Sequence, residues 1–332
     1  MIDFNTGKEK LNKFSGSEKK ITILYENDLY MIKFPDPIRS KKNLLSYMNN
    51  QYSEHIGCNI FRACGFITQE TSLGTYTDKN GKEKIVVGCK DFTQSGAILH
   101  EFSKLGNQIV EIDSKFDTTI ENVHLIIAEC DLIKNKEDML NCFWDMFIVD
   151  ALLGNSDRHF DNWGFLEQNG EIEFAPIYDC GSALGALLDD SKMRELLTEI
   201  NITGFKNIEY NITSCYSMNG KRIFYHEIFK NPPQRLAEAI KRVTPKIDMD
   251  KIRGIIDFTP IMSETRKEYL KKAIDMRHEQ IIMPALNKIL RREKEVSKPK
   301  ATLMERLDEG KRKSAQQERN GARKSPKREI IE

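Results

Sequence analysis

The sequence predicts an α+β chain of two lobes, a small antiparallel sheet with one helix followed by a mostly helical body. Three observations carry this expectation: strand-like runs separated by turn residues between Lys20 and Cys89, helical spacing from about Thr93, and loss of apolar periodicity after Lys294. The corresponding segments are 1–92, 93–294 and a basic extension, 295–332, expected to be flexible.

Residues 20–25 and 29–34 read as strands joined by Glu26-Asn27-Asp28, and Pro35 and Pro37 stop the second. In the stretch 54–64, Ile56, Ile60, Ala63 and Cys64 recur at helical spacing, with Gly65 placed to close the helix. Asp78-Lys79-Asn80-Gly81 signals a second hairpin, whose return strand contains Ile85-Val86-Val87-Gly88-Cys89. Thr118-Thr119-Ile120-Glu121 reads as a capping box that opens a helix through Leu125-Ile126-Ile127-Ala128. A mostly apolar helix over about 137–153 carries Leu140, Phe143, Phe147 and Ala151 on one face and ends at Gly154. Short strands at 163–166 and 172–174 flank Gln168-Asn169-Gly170. Further helices are expected near 193–199, 234–243, 250–257 and 263–292.

With 332 residues and 39% apolar content, the chain is long enough for two packed lobes. The start lacks the basic and apolar regions of a signal peptide, and no run approaches the roughly 18 apolar residues of a membrane span. The expectation is a soluble protein made in the cytosol, with no membrane partner. Seven scattered cysteines without a Cys-x-x-Cys pair favour reduced thiols over a disulfide framework or zinc cluster. The formal charge of +1 hides an asymmetry: residues 291–332 carry 14 Lys and Arg against 8 Asp and Glu, and the rest carry 37 against 42.

The chemistry centres on Asn155-Ser156-Asp157-Arg158-His159-Phe160-Asp161-Asn162, followed by Tyr178-Asp179-Cys180-Gly181. Asp157 and Asn162 stand five positions apart, the spacing at which a protein-kinase catalytic loop sets its base and a magnesium-binding amide. Asp157 suits a group that accepts or orients a substrate hydroxyl proton, and Asn162 and Asp179 offer oxygen ligands to magnesium. Asp and Asn are also ordinary turn residues, and Asp161 is an equally acidic neighbour. The order of buried helix, loop, two short strands and Asp-x-Gly favours a phosphotransfer site. His159 is expected to position or pack within the loop.

Upstream, Ser15-Gly16-Ser17-Glu18-Lys19-Lys20 combines a glycine that permits close backbone approach with hydroxyl donors, matching neither Gly-x-Gly-x-x-Gly nor the Walker pattern. Lys33, on the face of Leu29 and Met31, either points into a cleft toward phosphates or snorkels to water. Glu54 on the next helix is its natural partner.

These residues, with Tyr178-Asp179-Cys180-Gly181-Ser182-Ala183, resemble the HipA-like serine/threonine kinases over about residues 14–290. The resemblance implies a two-lobed protein-kinase-like fold, ATP and Mg2+, and transfer of the γ-phosphate to Ser/Thr hydroxyls of protein substrates. It implies Asp157 as catalytic aspartate, Asn162 and Asp179 as metal ligands and Lys33 as the ATP-phosphate lysine. Ser15, Gly16, Ser17 and Lys19 would then belong to the phosphate loop, and Cys89, Lys90 and Phe92 to a hinge at 88–92 that touches adenine. Family members autophosphorylate a serine in the phosphate loop, which points to Ser15 or Ser17. HipA-like toxins carry an N-terminal subdomain before that loop, so pairing with a DNA-binding antitoxin is not expected here.

Two other readings stay open. A small-molecule phosphotransferase shares the Asp-x-x-x-x-Asn logic. Nucleic-acid binding through the basic tail is disfavoured by its interspersed acids and lack of aromatics for stacking. Lys311-Arg312-Lys313 and Arg323-Lys324 are also address-like clusters, for export or a host nucleus.

Overall fold

The structure, a computed structural model, describes residues 1–12, 20–35, 49–109, 117–297 and 311–316. Two short strands, β1 (Ile2–Asp3) and β2 (Lys8–Lys10), precede the hairpin of β3 (Lys20–Tyr25) and β4 (Asp28–Lys33). The turn is two residues rather than three: Glu26 and Asn27 take φ of 47° and 72°, and Asp28 already pairs with Tyr25. This mirror-image turn matches the twist of the strands it joins.

Helix α1 (Asn50–Ala63) ends as the Gly65 signal predicts. Gly65 N–H donates to Arg62 O at 3.0 Å and Phe66 N–H to Phe61 O at 3.1 Å, and the Phe61 and Phe66 rings meet edge to face at 5.3 Å. That is the double bond and apolar contact of a Schellman closure. Strands β5 (Thr71–Thr77) and β6 (Glu83–Lys90) form the second expected hairpin. All six strands join one sheet in the order β1-β5-β6-β4-β3-β2, antiparallel except where β1 runs beside β5. Phe4, Ile23, Ile32, Phe34 and Val86 form a core cluster within this part.

The change at Thr93 is less abrupt than periodicity suggests. Strand β7 (Ile98–Glu101) comes first, followed by α2 (Phe102–Ile109), α3 (Ile120–Glu129) and α4 (Lys136–Leu153). The expected capping box shifts by one residue: Thr119 is the cap and accepts from Asn122 N–H, while Glu121 accepts from Asn219 N–H at 2.7 Å instead. Helix α4 is buried nearly all round, as its apolar sequence requires, with Phe143 and Phe147 packed against Trp163, Tyr216 and Tyr225, and Trp144 against His124.

Strands β8 (Gly164–Gln168) and β9 (Glu171–Phe174) form the expected hairpin and, with β7, a three-stranded antiparallel sheet. Beyond it lie α5 (Asp190–Leu197) and α6 (Ile202–Tyr210), then a hairpin of β10 (Thr213–Met218) and β11 (Lys221–Phe224), then α7 (Tyr225–Lys230). Helices α8 (Gln234–Val243), α9 (Met249–Asp257) and α10 (Glu264–Arg277) follow. The expected single helix over 263–292 is interrupted: a π-helical turn (His278–Ile282) separates α10 from α11 (Met283–Ser297). Among the described residues, no helix is long and apolar enough to cross a membrane.

The chain divides into two units, Met1–Asn287 and Lys288–Glu332. In the second, residues 311–316 are helical and exposed, and most of the expected flexible tail lies outside the described residues. Within the first unit, the segment after α1 meets the segment after β9. Ile177 N–H donates to Ile67 O and Gln69 N–H to Ile177 O, both at 2.9 Å. This pairing delivers Asp179 to the side of α1.

Candidate active site

Helix α4 delivers the loop that follows it, and its C-terminus is heavily tied. Gly154 closes the helix at φ 67°, and a Cβ there would fall 2.6 Å from Ile212 Cδ1 and 2.9 Å from Arg277 Nη1. Only glycine fits both that conformation and that space. Buried Arg277 donates to Leu152 O at 2.7 Å and Leu153 O at 3.2 Å, satisfying carbonyls the helix leaves without partners, and it pairs with Glu209. Asn155 then turns the chain. Its amide donates to Asp150 Oδ1 at 2.8 Å and its side-chain oxygen accepts Asp157 N–H at 3.0 Å.

Arg158 is the hub of the site and is 1% exposed. Its Nε and Nη2 grip both oxygens of Asp150, also 1% exposed, at 3.0 and 3.1 Å. Nη1 donates to Asn162 O at 2.9 Å, to Tyr178 O, and to Asp179 O at 3.2 Å. One planar guanidinium thus binds the Asp157–Asn162 loop to the strand end that carries Asp179. Burial opposes its charge, but Asp150 more than compensates and holds its pKa well above the ordinary value.

Lys33 points into the cleft and does not snorkel. It is 4% exposed, and its Nζ lies 2.9 Å from Glu54 Oε2 and 2.9 Å from Asp179 Oδ1. The partnership with Glu54 expected from sequence is therefore present. Glu54 Oε1 also accepts the Cys180 N–H at 3.2 Å, which seats α1 against the residue after Asp179. Burial around Asp179 pushes its carboxyl up, but the adjacent Lys33 ammonium outweighs this and holds it below the usual carboxylate range. Asp179 sits at φ 56°, a left-handed conformation that Asp tolerates better than most residues. The thiols nearby stay protonated: burial and then Glu54 raise Cys89, and its bond to Cys180 and then burial raise Cys58. All seven cysteines are free.

The Asp157 side chain keeps 39% of its surface exposed, so its carboxylate reaches the cleft. Ser182 Oγ donates to its Oδ2 at 3.0 Å. Asn162 Nδ2 donates to Asp157 O at 2.7 Å, which leaves the Asn162 amide oxygen as the free acceptor of that side chain. His159 is not packed: it stands between two carboxylates, 3.8 Å from Asp157 Oδ1 and 3.6 Å from Asp161 Oδ2. Asp161 Oδ1 takes the Ser103 hydroxyl, while its Oδ2 is the one facing His159.

The expected hinge lies at the end of β6. Cys89 is fully buried, Lys90 pairs with Asp28 at 2.8 Å, and the Phe92 ring lies 6.0 Å from that of Tyr178. Both backbone polar groups of Lys90 are engaged, its N–H with Glu70 O at 2.8 Å and its carbonyl with Gln69 Nε2 at 3.0 Å. Ser15, Gly16, Ser17 and Lys19 lie outside the described residues.

The Asn162 side-chain amide oxygen and the Asp179 carboxylate, on residues whose backbone carbonyls one guanidinium holds, suit a hard cation that takes its remaining ligands from phosphate and water, as magnesium does. Sequence reasoning missed Asp150, Arg158 and Ser182. Ser182 stood in the quoted motif, and Arg158 inside the loop, but their roles run through contacts that no spacing encodes.

The HipA-like C-terminal domain family model matches residues 13–250. A curated relative, serine/threonine-protein kinase CtkA of Helicobacter pylori (strain J99 / ATCC 700824), is 40% identical over 275 residues, covering 81% of this chain and 82% of the relative. The crystal structure of a Helicobacter pylori proinflammatory kinase CtkA superposes with a TM-score of 0.79 at 39% identity, covering 90% of this chain and 99% of that one. The fold is accordingly the two-lobed protein-kinase-like α+β fold.

Proposed function

Because the chain belongs to the HipA-like C-terminal domain family, we propose that it is a protein kinase that moves the γ-phosphate of ATP onto Ser/Thr hydroxyls of proteins. The observation that carries this reading is the continuous chain of contacts from Glu54 through Lys33 to Asp179, and from Asp179 through Arg158 to the Asp157–Asn162 loop. Phosphoryl transfer needs little covalent help from the protein and depends on positioning and charge, which such a rigid polar frame supplies.

In this reading Asp157 accepts or orients the acceptor hydroxyl. Asn162 and Asp179 hold Mg2+, and Lys33, already between two carboxylates, turns its ammonium to the α- and β-phosphates. Magnesium supplies neutralisation of the phosphate charge. Residues 1–92 form the nucleotide-holding lobe and 93–294 the lobe that presents the acceptor. Ser15, Gly16, Ser17 and Lys19 form the phosphate loop, with Ser15 or Ser17 as the self-modified serine. Adenine rests against 88–92, with the Phe92 ring as its apolar contact.

The test is incubation of wild type, Asp157→Ala and Asp179→Ala with labelled ATP, Mg2+ and a cell lysate, followed by phosphosite identification. Wild type labels Ser and Thr. Loss of Asp157 lowers transfer by about 10²–10⁴ while Mg-dependent ATP binding persists, because a general base acts on the proton and not on the nucleotide. Loss of Asp179 abolishes both. Label confined to a panel of small alcohols would overturn protein as the acceptor class, and equal loss of binding in both variants would overturn the separate roles.

A further inference from the structure

We propose that Ser182 is a positioning residue that selects which oxygen of Asp157 meets the acceptor hydroxyl, an inference that rests on the kinase reading above. The backbone polar groups of Asp157 are already assigned. Its N–H is held by Asn155 Oδ1 at 3.0 Å and its carbonyl by Asn162 Nδ2 at 2.7 Å. The Ser182 hydroxyl donates to Oδ2 at 3.0 Å, while the nearest cation-forming group to Oδ1, His159 Nε2, stands at 3.8 Å, beyond hydrogen-bond range. Oδ1 is therefore the oxygen left for an acceptor proton.

Ser182 can hold this post because its own segment is anchored on both sides of the cleft. Asp179 O is bonded to Arg158 at 3.2 Å, and Cys180 N–H to Glu54 Oε1 at 3.2 Å. Gly181 passes so close to Glu54 that a Cβ would lie 3.2 Å from Oε2. The hydroxyl that orients the base thus rides on the residues that seat the Lys33–Glu54 pair, so base orientation is tied to the docking of α1.

The experiment is steady-state transfer from ATP to a protein substrate by the full chain, comparing wild type, Ser182→Ala, Ser182→Thr and Ser182→Ala in an Asp157→Asn background. A bond to a charged acceptor that orients the base makes Ser182→Ala roughly 10- to 100-fold slower in kcat. KM for ATP stays within about threefold, because Ser182 touches no nucleotide-holding group. Ser182→Thr recovers most of the rate. In the Asp157→Asn background Ser182→Ala adds little, since both act through one carboxylate.

If Ser182→Ala does not fold, Ser182→Cys, close in size and a weak donor, carries the same comparison. A Ser182→Ala rate at or above wild type overturns the proposal, and so does phosphate mapped onto Ser182 itself, which would make it an acceptor. A wild-type chain that transfers nothing overturns the kinase reading. A normal wild type with an indifferent Ser182→Ala overturns only the role of Ser182.

Discussion

Lys33 keeps only 5% of its side chain exposed, and Glu54 none, so neither charge has water to fall back on. Their proximity offsets a desolvation cost of several kcal/mol per ion, and removing one partner leaves the other buried and uncompensated. Lys33→Met is therefore expected to destabilise the fold by about 3–5 kcal/mol, besides losing the phosphate contact. Replacing both, as Lys33→Met with Glu54→Gln, removes both charges while keeping an acceptor for the Cys180 N–H, and should recover most of that stability and none of the activity. Denaturant melts of the two variants separate the roles: if the single variant is as stable as wild type, the pair is not the buried frame described here. Sequence alternation aimed Lys33 at a cleft or at solvent without choosing. The choice came from Glu54 and Asp179, which approach from different elements and leave no trace in the strand's own pattern.

At the scale of elements, local chemistry was legible and long-range pairing was not. The two N-terminal hairpins, the Gly65 closure of α1, the buried α4 and the β8–β9 hairpin were all readable from turn residues and periodicity. Strand β7 was not, because four residues at a sheet edge carry too little pattern and their partner, β8, lies far along the chain. The β10–β11 hairpin did carry a signal, Asn219-Gly220, between short strands that periodicity passed over. The catalytic loop was legible as a motif, yet what fixes it is Arg158, which binds six acceptor atoms on three separate stretches of chain, both oxygens of a carboxylate among them. Lysine cannot reproduce that fork, since its ammonium is a point donor. Arg158→Lys keeps a charge beside Asp150 but leaves buried carbonyls of the loop and of the Asp179 segment unsatisfied, so it should cost about 1–3 kcal/mol, and it should reduce transfer more than nucleotide binding because it loosens the loop against Asp179. Urea melts with parallel ATP-binding isotherms would show this. A variant with wild-type stability would mean that a point charge beside Asp150 suffices and that the forked carbonyl contacts do not carry the anchoring.

Across the whole molecule, the near-zero formal charge conceals an acidic body and a basic C-terminal segment, so net charge says little about how stability responds to pH. Buried titratable groups say more. Burial lowers the pKa of His55, His124 and His278 below the ordinary 6.5. In each case the folded protein disfavours the proton that the unfolded chain accepts, so the unfolded state binds more protons as pH falls. The stability these histidines contribute is complete above 6.5 and is lost progressively below it, down to their folded values. Carboxylates held low, such as Asp78 by its backbone bonds and Asp179 by Lys33, act in the same direction but titrate further down. Asp145, which burial raises despite Arg242, acts oppositely and only moderates the decline. The melting temperature should accordingly be highest near neutral pH, since above it the unfolded chain alone gives up the protons of thiols that burial holds high, and it should begin to fall in the weakly acidic range, before the carboxylates titrate. A His55→Gln, His124→Gln, His278→Gln variant should postpone that fall to the carboxylate range. A wild-type profile that stays level down to about pH 5 would show that these three rings are hydrated enough in the fold to accept their protons freely.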